Sequence, residues 1–257
     1  MNIIYIGDIV GRAGRRSVRK LLDKARKEKN IDFIIANGEN AAGGYGLTEN
    51  TAKELYGYGI DCITMGNHTW GNRSIFEFID SDQKIIRPLN FNRSVPGRGY
   101  NIYKVNGKNL VVISLIGQVF MGDNNSPVEA FDDIYDEIQD EADYIIVDFH
   151  AEATGEKRAF AEYVNGKVSL VVGTHTHVQT NDAQILDKKT GYITDLGFSG
   201  ACDSILGMKK EKVLYRLKTK MPKRLEVATG QVKLSGIYAT FNNKGQTTSI
   251  NSFKLTD

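Results

Sequence analysis

Cysteine, proline and tryptophan are scarce in this chain of 257 residues, which has two cysteines, four prolines and one tryptophan. With only Cys62 and Cys202, a disulfide framework is excluded, and reduced thiols that pack as small apolar side chains are expected. The chain has no proline-rich linker or low-complexity stretch, which excludes collagen-like, mucin-like and disordered classes. It also has no basic segment followed by a long apolar run, so we expect no signal peptide, no membrane span and a cytoplasmic location.

An excess of charge of one sign is also missing. The 33 lysines and arginines against 31 acidic residues give a net charge of +2, too small a field to predict general nucleic-acid or membrane binding. The composition, 41% hydrophobic and 25% charged, is typical of a soluble globular protein. Because nothing in the sequence marks a boundary, we expect a single α/β domain over residues 1–257.

Short apolar runs alternate with amphipathic patterns through the first 180 residues, which is typical of strands covered by crossover helices. Helices are predicted over residues 14–29, over 47–56 with Thr48 as N-cap, and over 128–140. An Asn-Gly turn at 106–107 predicts a hairpin. Strands are predicted over residues 3–6, 31–36, 62–65, 100–105, 110–116, 144–147, 170–172, 183–186 and 237–241.

Side chains that can bind metals or transfer protons follow five of these strands within a few residues. Open α/β sheets bind ligands outside the carboxyl ends of their strands, so these side chains are expected to meet. The set includes all four histidines of the chain and consists of Asp8, Glu39, Asn40, Asn67, His68, His150, His175 and His177.

The donor types in this set indicate a metal centre. Carboxylates, amide oxygens and imidazoles without thiolates suit Fe, Mn, Zn or Co better than they suit a structural zinc site. If one histidine is kept for acid chemistry, the remaining groups exceed the needs of one tetrahedral ion. They suit two divalent ions that share a bridging carboxylate, with Glu39 as the natural bridge, an arrangement used for in-line displacement at phosphorus. His175 and His177 flank one residue, so a turn after the strand is needed for both to face metal.

In chain order the set resembles the motifs of the calcineurin-like metallophosphoesterases, which read D-x-H, G-D, G-N-H, a lone His and G-H-x-H. The matching pieces are Gly7-Asp8-Ile9-Val10, Gly38-Glu39-Asn40, Gly66-Asn67-His68, Phe149-His150 and Gly173-Thr174-His175-Thr176-His177.

Two departures from these motifs point to one subfamily. Val10 replaces the second ligand of the first motif, and Glu39-Asn40 replaces the usual bridging aspartate region. Both are features of the bacterial YmdB-like phosphodiesterases, which the chain resembles over nearly its full length. The same resemblance is carried by IGDIVGRAGR, NGENAAGGYGLT, TMGNHTW, and TDLGFSG with the downstream Gly207-Met208.

The resemblance implies a sandwich of two mixed β-sheets flanked by helices, and a di-iron centre for which Mn or Zn is the alternative. By the same resemblance the residue that donates a proton is His68. The first metal would be held by Asp8, Glu39, Asn40 and His177, and the second by Glu39, Asn67, His150 and His175.

The implied activity is hydrolysis of 2′,3′- or 3′,5′-cyclic nucleotides. A metal-bridging hydroxide would attack phosphorus, and His68 would protonate the departing ribose oxygen. A phosphomonoesterase with the same metals and a regulatory nucleotide-binding protein with little turnover stay open as alternatives. We also expect a homo-oligomer.

Three further features allow two interpretations each. Arg15 and Arg16 could meet a phosphate, although a solvated helix face is the favoured interpretation. Trp70 could stack on a base or line a subunit contact. Residues 197–208 are equally typical of a lid over the site and of an ordinary loop.

Overall fold

Apolar residues at successive strand positions determine the layers of the fold. In the computed structural model, which describes residues 1–27 and 29–257, strand β1 (Asn2–Ile6) directs Ile3 and Tyr5 into the core between two sheets. Ile4 and Ile6 of the same strand pack into a second core that is shared with helices. Because successive side chains of a strand point to opposite faces, a continuous apolar run fits a strand buried on both sides.

The first sheet mixes parallel and antiparallel pairs. It contains β1, β2 (Asp8–Ile9), β3 (Phe33–Asn37), β4 (Cys62–Thr64), β5 (Ile85–Ile86), β12 (Phe198–Ala201), β13 (Val232–Phe241) and β14 (Thr247–Thr256). The strand order is β2-β12-β13-β1-β3-β4-β5, with β14 paired to β13. Strands β1, β3, β4 and β5 are parallel, so they end at one edge of the sheet.

The second sheet faces the first across the central core. It contains β6 (Tyr100–Val105), β7 (Lys108–Ile116), β8 (Tyr144–His150), β9 (Leu170–Thr174), β10 (Gln184–Ile185) and β11 (Gly191–Ile193). Its order is β10-β11-β9-β8-β7-β6, and β7, β8, β9 and β11 run parallel. The predicted hairpin is confirmed between β6 and β7, where Asn106 and Gly107 both have positive φ, as a type I′ turn requires.

Four helices cover the outer faces of the two sheets, namely α1 (Gly11–Arg26), α2 (Glu49–Gly57), α3 (Pro127–Ile138) and α4 (Thr154–Tyr163). The described residues also form α5 (Lys210–Thr219), which has no buried residue, and a 3₁₀ helix at Arg73–Glu77. Helices α1 and α2 share a core with the first sheet, and α3 and α4 share one with the second. Among the described residues, no helix is both long and apolar enough to cross a membrane.

Helix boundaries agree in part with the sequence predictions. Thr48 caps α2, because its side chain accepts a hydrogen bond from the Thr51 backbone N–H. Helix α1 starts at Gly11 instead of residue 14, since Val10 occupies the N-cap without a side-chain cap that would signal the start. The predicted end of this helix at residue 29 includes Glu28, which lies outside the described residues, and the helix ends at Arg26.

Two other predictions need correction. The segment 197–208 is not a loop throughout, because its residues Phe198–Ala201 form the buried strand β12, while a lid over the site by the remainder stays a prediction. Arg15 does not lie on a solvated helix face, since its Nε atom lies 2.6 Å from Glu54 Oε2 and its guanidinium donates to the Ala41 carbonyl. Arg16 is also partly covered and donates to the Gly230 carbonyl.

Candidate metal centre

The eight side chains that were singled out from the sequence lie together where parallel strands of both sheets end. Asp8 follows β1, Glu39 and Asn40 follow β3, and Asn67 and His68 follow β4. His150 ends β8, and the other two histidines follow β9. Contacts of 3.5 Å or less link all of them into one cluster. The predicted convergence of these residues is therefore present in the fold.

Glu39 lies at the centre of the cluster and is 1% exposed. Its Oε1 atom is 3.3 Å from His150 Nε2, 3.3 Å from His68 Nδ1 and 3.2 Å from Asn40 Nδ2. Its Oε2 atom accepts the His68 backbone N–H at 2.9 Å. Gly66 makes room for this carboxylate, because a Cβ atom there would lie 2.5 Å from Oε2. A carboxylate with neighbours on both sides suits a bridging ligand.

One group of donors surrounds the Nε2 atom of His150. Asn67 Oδ1 lies 2.8 Å from it and His175 Nδ1 lies 3.1 Å from it. Candidate ligand atoms of Glu39, His150 and His175 all lie within 4.8 Å of one another. On its other side, His175 Nε2 is 3.1 Å from Glu152 Oε2, an exposed carboxylate that the sequence pattern did not single out.

Asp8 and His177 form the other side of the cluster. Asp8 is fully buried, and its Oδ1 atom accepts no hydrogen bond from the described residues. The His177 Nε2 atom lies 3.5 Å from this oxygen, while Nδ1 of the same ring donates to the Leu206 carbonyl at 3.2 Å. Because an unpaired buried carboxylate oxygen is unfavourable, this atom is a natural position for a cation ligand.

The charged groups of the cluster shift one another's pKa values. Burial alone would raise the pKa values of Asp8 and Glu39, but the charges of His177 and His150 lower both. Burial opposes a charge on His150, yet Glu39 and Asp8 raise its pKa to about 9. For His175, burial and the charge of His150 lower the pKa to about 4. The carboxylates are therefore ionised at neutral pH, and a cation could take over the role of the imidazolium.

His68 lies at the rim of the cluster, with 28% of its side chain exposed. Its Nδ1 atom is 2.7 Å from Asn40 Oδ1, and its ring packs at 4.4 Å against the ring of Tyr45, which is 55% exposed. Burial lowers the pKa of His68 by more than Glu39 raises it. The imidazolium of His68 is thus a stronger acid than a free imidazolium, on a side chain that solvent can reach.

A buried hydrogen-bond chain orients His150 and was not foreseen from the sequence. Thr174 Oγ1 donates to Asp148 Oδ1 at 2.7 Å and lies 2.8 Å from His150 Nδ1. Since the single hydroxyl proton of Thr174 goes to Asp148, Nδ1 of His150 must be the donor, which leaves Nε2 directed at the cluster. Thr64 donates to the second oxygen of Asp148 at 2.5 Å and joins the chain to the first sheet. A detectable signal was the acidic residue inside the otherwise apolar run of β8.

A second support, also not foreseen, holds the loop between His175 and His177. Asp195 Oδ2 accepts hydrogen bonds from the backbone N–H and the hydroxyl of Thr176, at 3.1 and 2.8 Å. Lys157 lies 2.8 Å from the same oxygen, and both of these charged side chains are 0% exposed. Asp195 lies two residues after the end of the short strand β11, so it obeys the same strand-end rule as the residues that were predicted.

Comparisons with known proteins cover nearly the whole chain. A family model described as "YmdB-like protein" matches residues 4–253. The 2′,3′-cyclic-nucleotide 2′-phosphodiesterase of Bacillus subtilis (strain 168) is 48% identical over 237 residues, which are 92% of this chain and 90% of that protein.

Two crystal structures superpose closely on this fold. A hypothetical protein from Thermus thermophilus has a TM-score of 0.94 at 36% identity, with 100% of both chains covered. A novel phosphatase from Mycoplasma pneumoniae also has a TM-score of 0.94, at 28% identity, with 100% of this chain and 93% of that chain covered. The expected fold of two mixed sheets flanked by helices is confirmed.

Proposed function

Because the chain belongs to the YmdB-like protein family, we propose that it is a metal-dependent phosphodiesterase that hydrolyses cyclic nucleotides, 2′,3′-cyclic nucleotides first among them. The observation that carries the proposal is the buried cluster of carboxylates, amides and imidazoles around Asp8, whose Oδ1 atom has no hydrogen-bond donor among the described residues. The activity named for the Bacillus subtilis relative supplies the substrate class.

The donor set fits two divalent ions, for which iron is our first choice and manganese or zinc the alternative. When bound, the ions would neutralise charge on the phosphoryl oxygens and lower the pKa of a water molecule. We assign the first ion to Asp8, Glu39, Asn40 and His177, and the second to Glu39, Asn67, His150 and His175.

We assign the proton that reaches the departing ribose oxygen to His68. Asn40 orients this ring, because its amide lies between His68 Nδ1 and the pair formed by Glu39 and His177. Its Oδ1 atom accepts the proton of His68 Nδ1 at 2.7 Å, while its Nδ2 atom donates to Glu39 Oε1 at 3.2 Å. In the imidazolium form Nε2 also carries a proton, and we assign the proton given to the ribose oxygen to this nitrogen.

The metal content of anaerobically purified protein, measured by ICP-MS beside hydrolysis of 2′,3′-cAMP and 3′,5′-cAMP, tests the proposal. We expect about two ions per chain and hydrolysis that a chelator abolishes and added metal restores. His68→Ala should keep both ions and lose about 10²- to 10⁴-fold in kcat, the usual contribution of a general acid. Failure to bind metal after reconstitution contradicts the site, and full activity of His68→Ala contradicts the role of His68.

A phosphomonoesterase with the same ions is the second candidate, because the Mycoplasma pneumoniae structure is described as a phosphatase. The two activities separate on paired substrates. A phosphodiesterase cleaves bis(p-nitrophenyl) phosphate faster than p-nitrophenyl phosphate, whereas a phosphomonoesterase shows the reverse order. Bound metal with neither activity would favour the regulatory nucleotide-binding protein. The homo-oligomeric state and the cytoplasmic location stay predictions.

A further inference from the structure

We propose that a cleft beside the metal centre binds the base of the substrate nucleotide, an inference that rests on the proposed function. The cleft has a volume of about 390 Å³, within the range of about 300–1,000 Å³ that is usual for small-molecule pockets. Its walls include Asn67, Trp70, Phe91, Asn92, Met121 and Asn125.

The position of the cleft suits a base attached to a phosphate at the metal centre. Asn67 belongs to both places, because it lines the cleft while its Oδ1 atom lies 2.8 Å from His150 Nε2. A ribose separates phosphorus from the base in a cyclic nucleotide. The base subsite must therefore adjoin the phosphate subsite without overlapping it, and this cleft does.

One wall of the cleft is aromatic and firmly held. Trp70, the single tryptophan of the chain, stacks on Phe76 with ring centroids 5.2 Å apart and an angle of 5°. Phe91 lies 6.0 Å from Trp70 at an angle of 33°. The turn that joins Trp70 to Asn67 is closed by a hydrogen bond of 2.6 Å from the Thr69 hydroxyl to the Gly66 carbonyl. Aromatic side chains held in this way are the usual platform for a base.

The buried side chain of Asn90 holds another part of the cleft wall. Its amide donates to the carbonyls of Ile116 and Asn125 at 2.7 and 2.8 Å, and its oxygen accepts the Ile116 N–H at 2.9 Å. The exposed side chain of Asn125 itself makes no hydrogen bond to any residue in the described part of the chain. An amide that can both donate and accept is suited to the polar edge of a base.

The charge of the cleft favours a neutral occupant. Among the described residues that line it, none is a lysine or arginine, and Asp123 is the single charged one. A second phosphate group would meet no cation there and would be repelled by Asp123. A flat, neutral heterocycle satisfies both the aromatic wall and the amides.

Paired substrates separate this inference from the proposed function. The metal-loaded enzyme is assayed with 2′,3′-cAMP and with the 2′,3′-cyclic phosphate of methyl riboside, which has the same ester but no base. Wild type should prefer the nucleotide in kcat/KM. Trp70→Phe, Trp70→Leu and Phe91→Leu test the aromatic wall. The two leucine variants should lose about 5- to 150-fold on the nucleotide, the range for one stacked base, with little change on the methyl riboside ester.

Tyr45 provides the matched aromatic control. Its ring packs on His68 but does not line the cleft, so Tyr45→Leu should affect both substrates alike and keep the preference. The inference is overturned if wild type cleaves both esters equally well, if the leucine variants lose both activities equally, or if Tyr45→Leu removes the preference. Cleavage of neither ester by wild type instead contradicts the proposed function.

Fluorescence gives a readout that needs no turnover. Because Trp70 is the single tryptophan, its emission reports directly on this wall. Adenosine 3′-monophosphate should quench the emission with saturation, whereas ribose 5-phosphate should not, and Phe91→Leu should weaken the nucleotide titration. Thermal unfolding of each variant identifies any variant that fails to fold. If Trp70→Leu does not fold, Trp70→Phe tests the wall instead, because it retains an aromatic ring. No quenching by the nucleotide overturns the inference even if hydrolysis is observed.

Discussion

The buried ion pair between Lys157 and Asp195 is expected to stabilise both the fold and the loop that carries two proposed ligands. Lys157 Nζ lies 2.8 Å from Asp195 Oδ2, and both side chains are 0% exposed. Lys157→Met keeps the apolar stem of the side chain but removes its charge. The Asp195 carboxylate is then left buried without a cation.

The expected loss follows from what remains around Asp195. Removal of one partner from a buried pair destabilises a protein by about 3–5 kcal/mol, because the other charge stays buried. Asp195 still accepts hydrogen bonds from Thr176 N–H, the Thr176 hydroxyl and Gly197 N–H, so we expect the lower end, about 3 kcal/mol. At about 2–4 °C per kcal/mol for a chain of this size, Tm should fall by about 6–12 °C.

The same change should weaken metal binding through Thr176. The two histidines that flank it have φ values of 97° for His175 and 64° for His177. Such conformations are unfavourable for residues other than glycine by about 1–3 kcal/mol each and persist only where surrounding contacts enforce them. Asp195 enforces them here, because it holds Thr176 by two hydrogen bonds. When Asp195 is held less firmly, we expect this loop to relax away from the proposed metal centre.

Thermal unfolding followed by circular dichroism, in the presence of a chelator, measures the change in folding stability separately from any change in metal binding. Lys209→Met is the matched control, because its ammonium pairs with Glu226 at 2.7 Å on the surface and its loss should change Tm little. The double variant Lys157→Met with Asp195→Asn removes the unpaired charge and should recover part of the loss. The reasoning is refuted if Lys157→Met loses less than about 1 kcal/mol, the scale of an exposed pair, or no more than Lys209→Met.

Three further predictions concern the thiols, the pH dependence of metal binding and the space around the bridging carboxylate. Burial raises the pKa of the Cys62 thiol to about 12, so a disulfide reagent should reach Cys62 only after unfolding, and two fast-reacting thiols in the native protein would contradict this. Burial lowers and Glu39 raises the pKa of His150, which reaches about 9, so a bound cation must displace its proton. Metal affinity should then rise with pH, by up to about tenfold per unit, and level off above about 9, whereas calorimetry that shows the same affinity from pH 6 to 9 would contradict the assignment. Gly66→Ala places a Cβ atom 2.3 Å from His150 Cδ2 and should abolish metal retention, whereas Gly57→Ala meets no atom within 4 Å and should retain the full metal content measured by ICP-MS.

Strands were predictable where an apolar run is long enough to show a pattern, and helices were missed where their buried face carries a charge or is absent. The apolar run of β1 is continuous, so its type and position follow from the residues alone. Helix α4 was not predicted, because its buried face contains the charged Lys157 beside Phe160 and Ala161. Helix α5 was also not predicted; it has no buried residue, and its apolar side chains Leu214 and Leu217 are exposed, so no core of this chain determines its pattern. Strand β12 has only one large apolar residue, Phe198, and so shows little pattern; α1 passes close to it, because a Cβ atom at Gly14 would lie 2.6 Å from the Ser199 carbonyl oxygen.

The convergence of the proposed metal ligands was predictable because one physical rule applies to all of them, whereas the residues that support them follow several rules. Parallel strands expose their carboxyl ends at one edge, so residues as distant in sequence as Asp8 and His177 meet without any local signal that pairs them. Asp148 obeys a different rule, since a charged residue inside a strand buried on both faces needs partners that only the packing of both sheets reveals. Asp195 obeys the strand-end rule, but β11 spans only Gly191–Ile193, too short to be recognised from its pattern. Candidate metal ligands can therefore be predicted from sequence more readily than the residues that orient them. A ligand candidate is identified by its place at the end of one strand, whereas an orienting residue is identified by its contacts with other strands and helices.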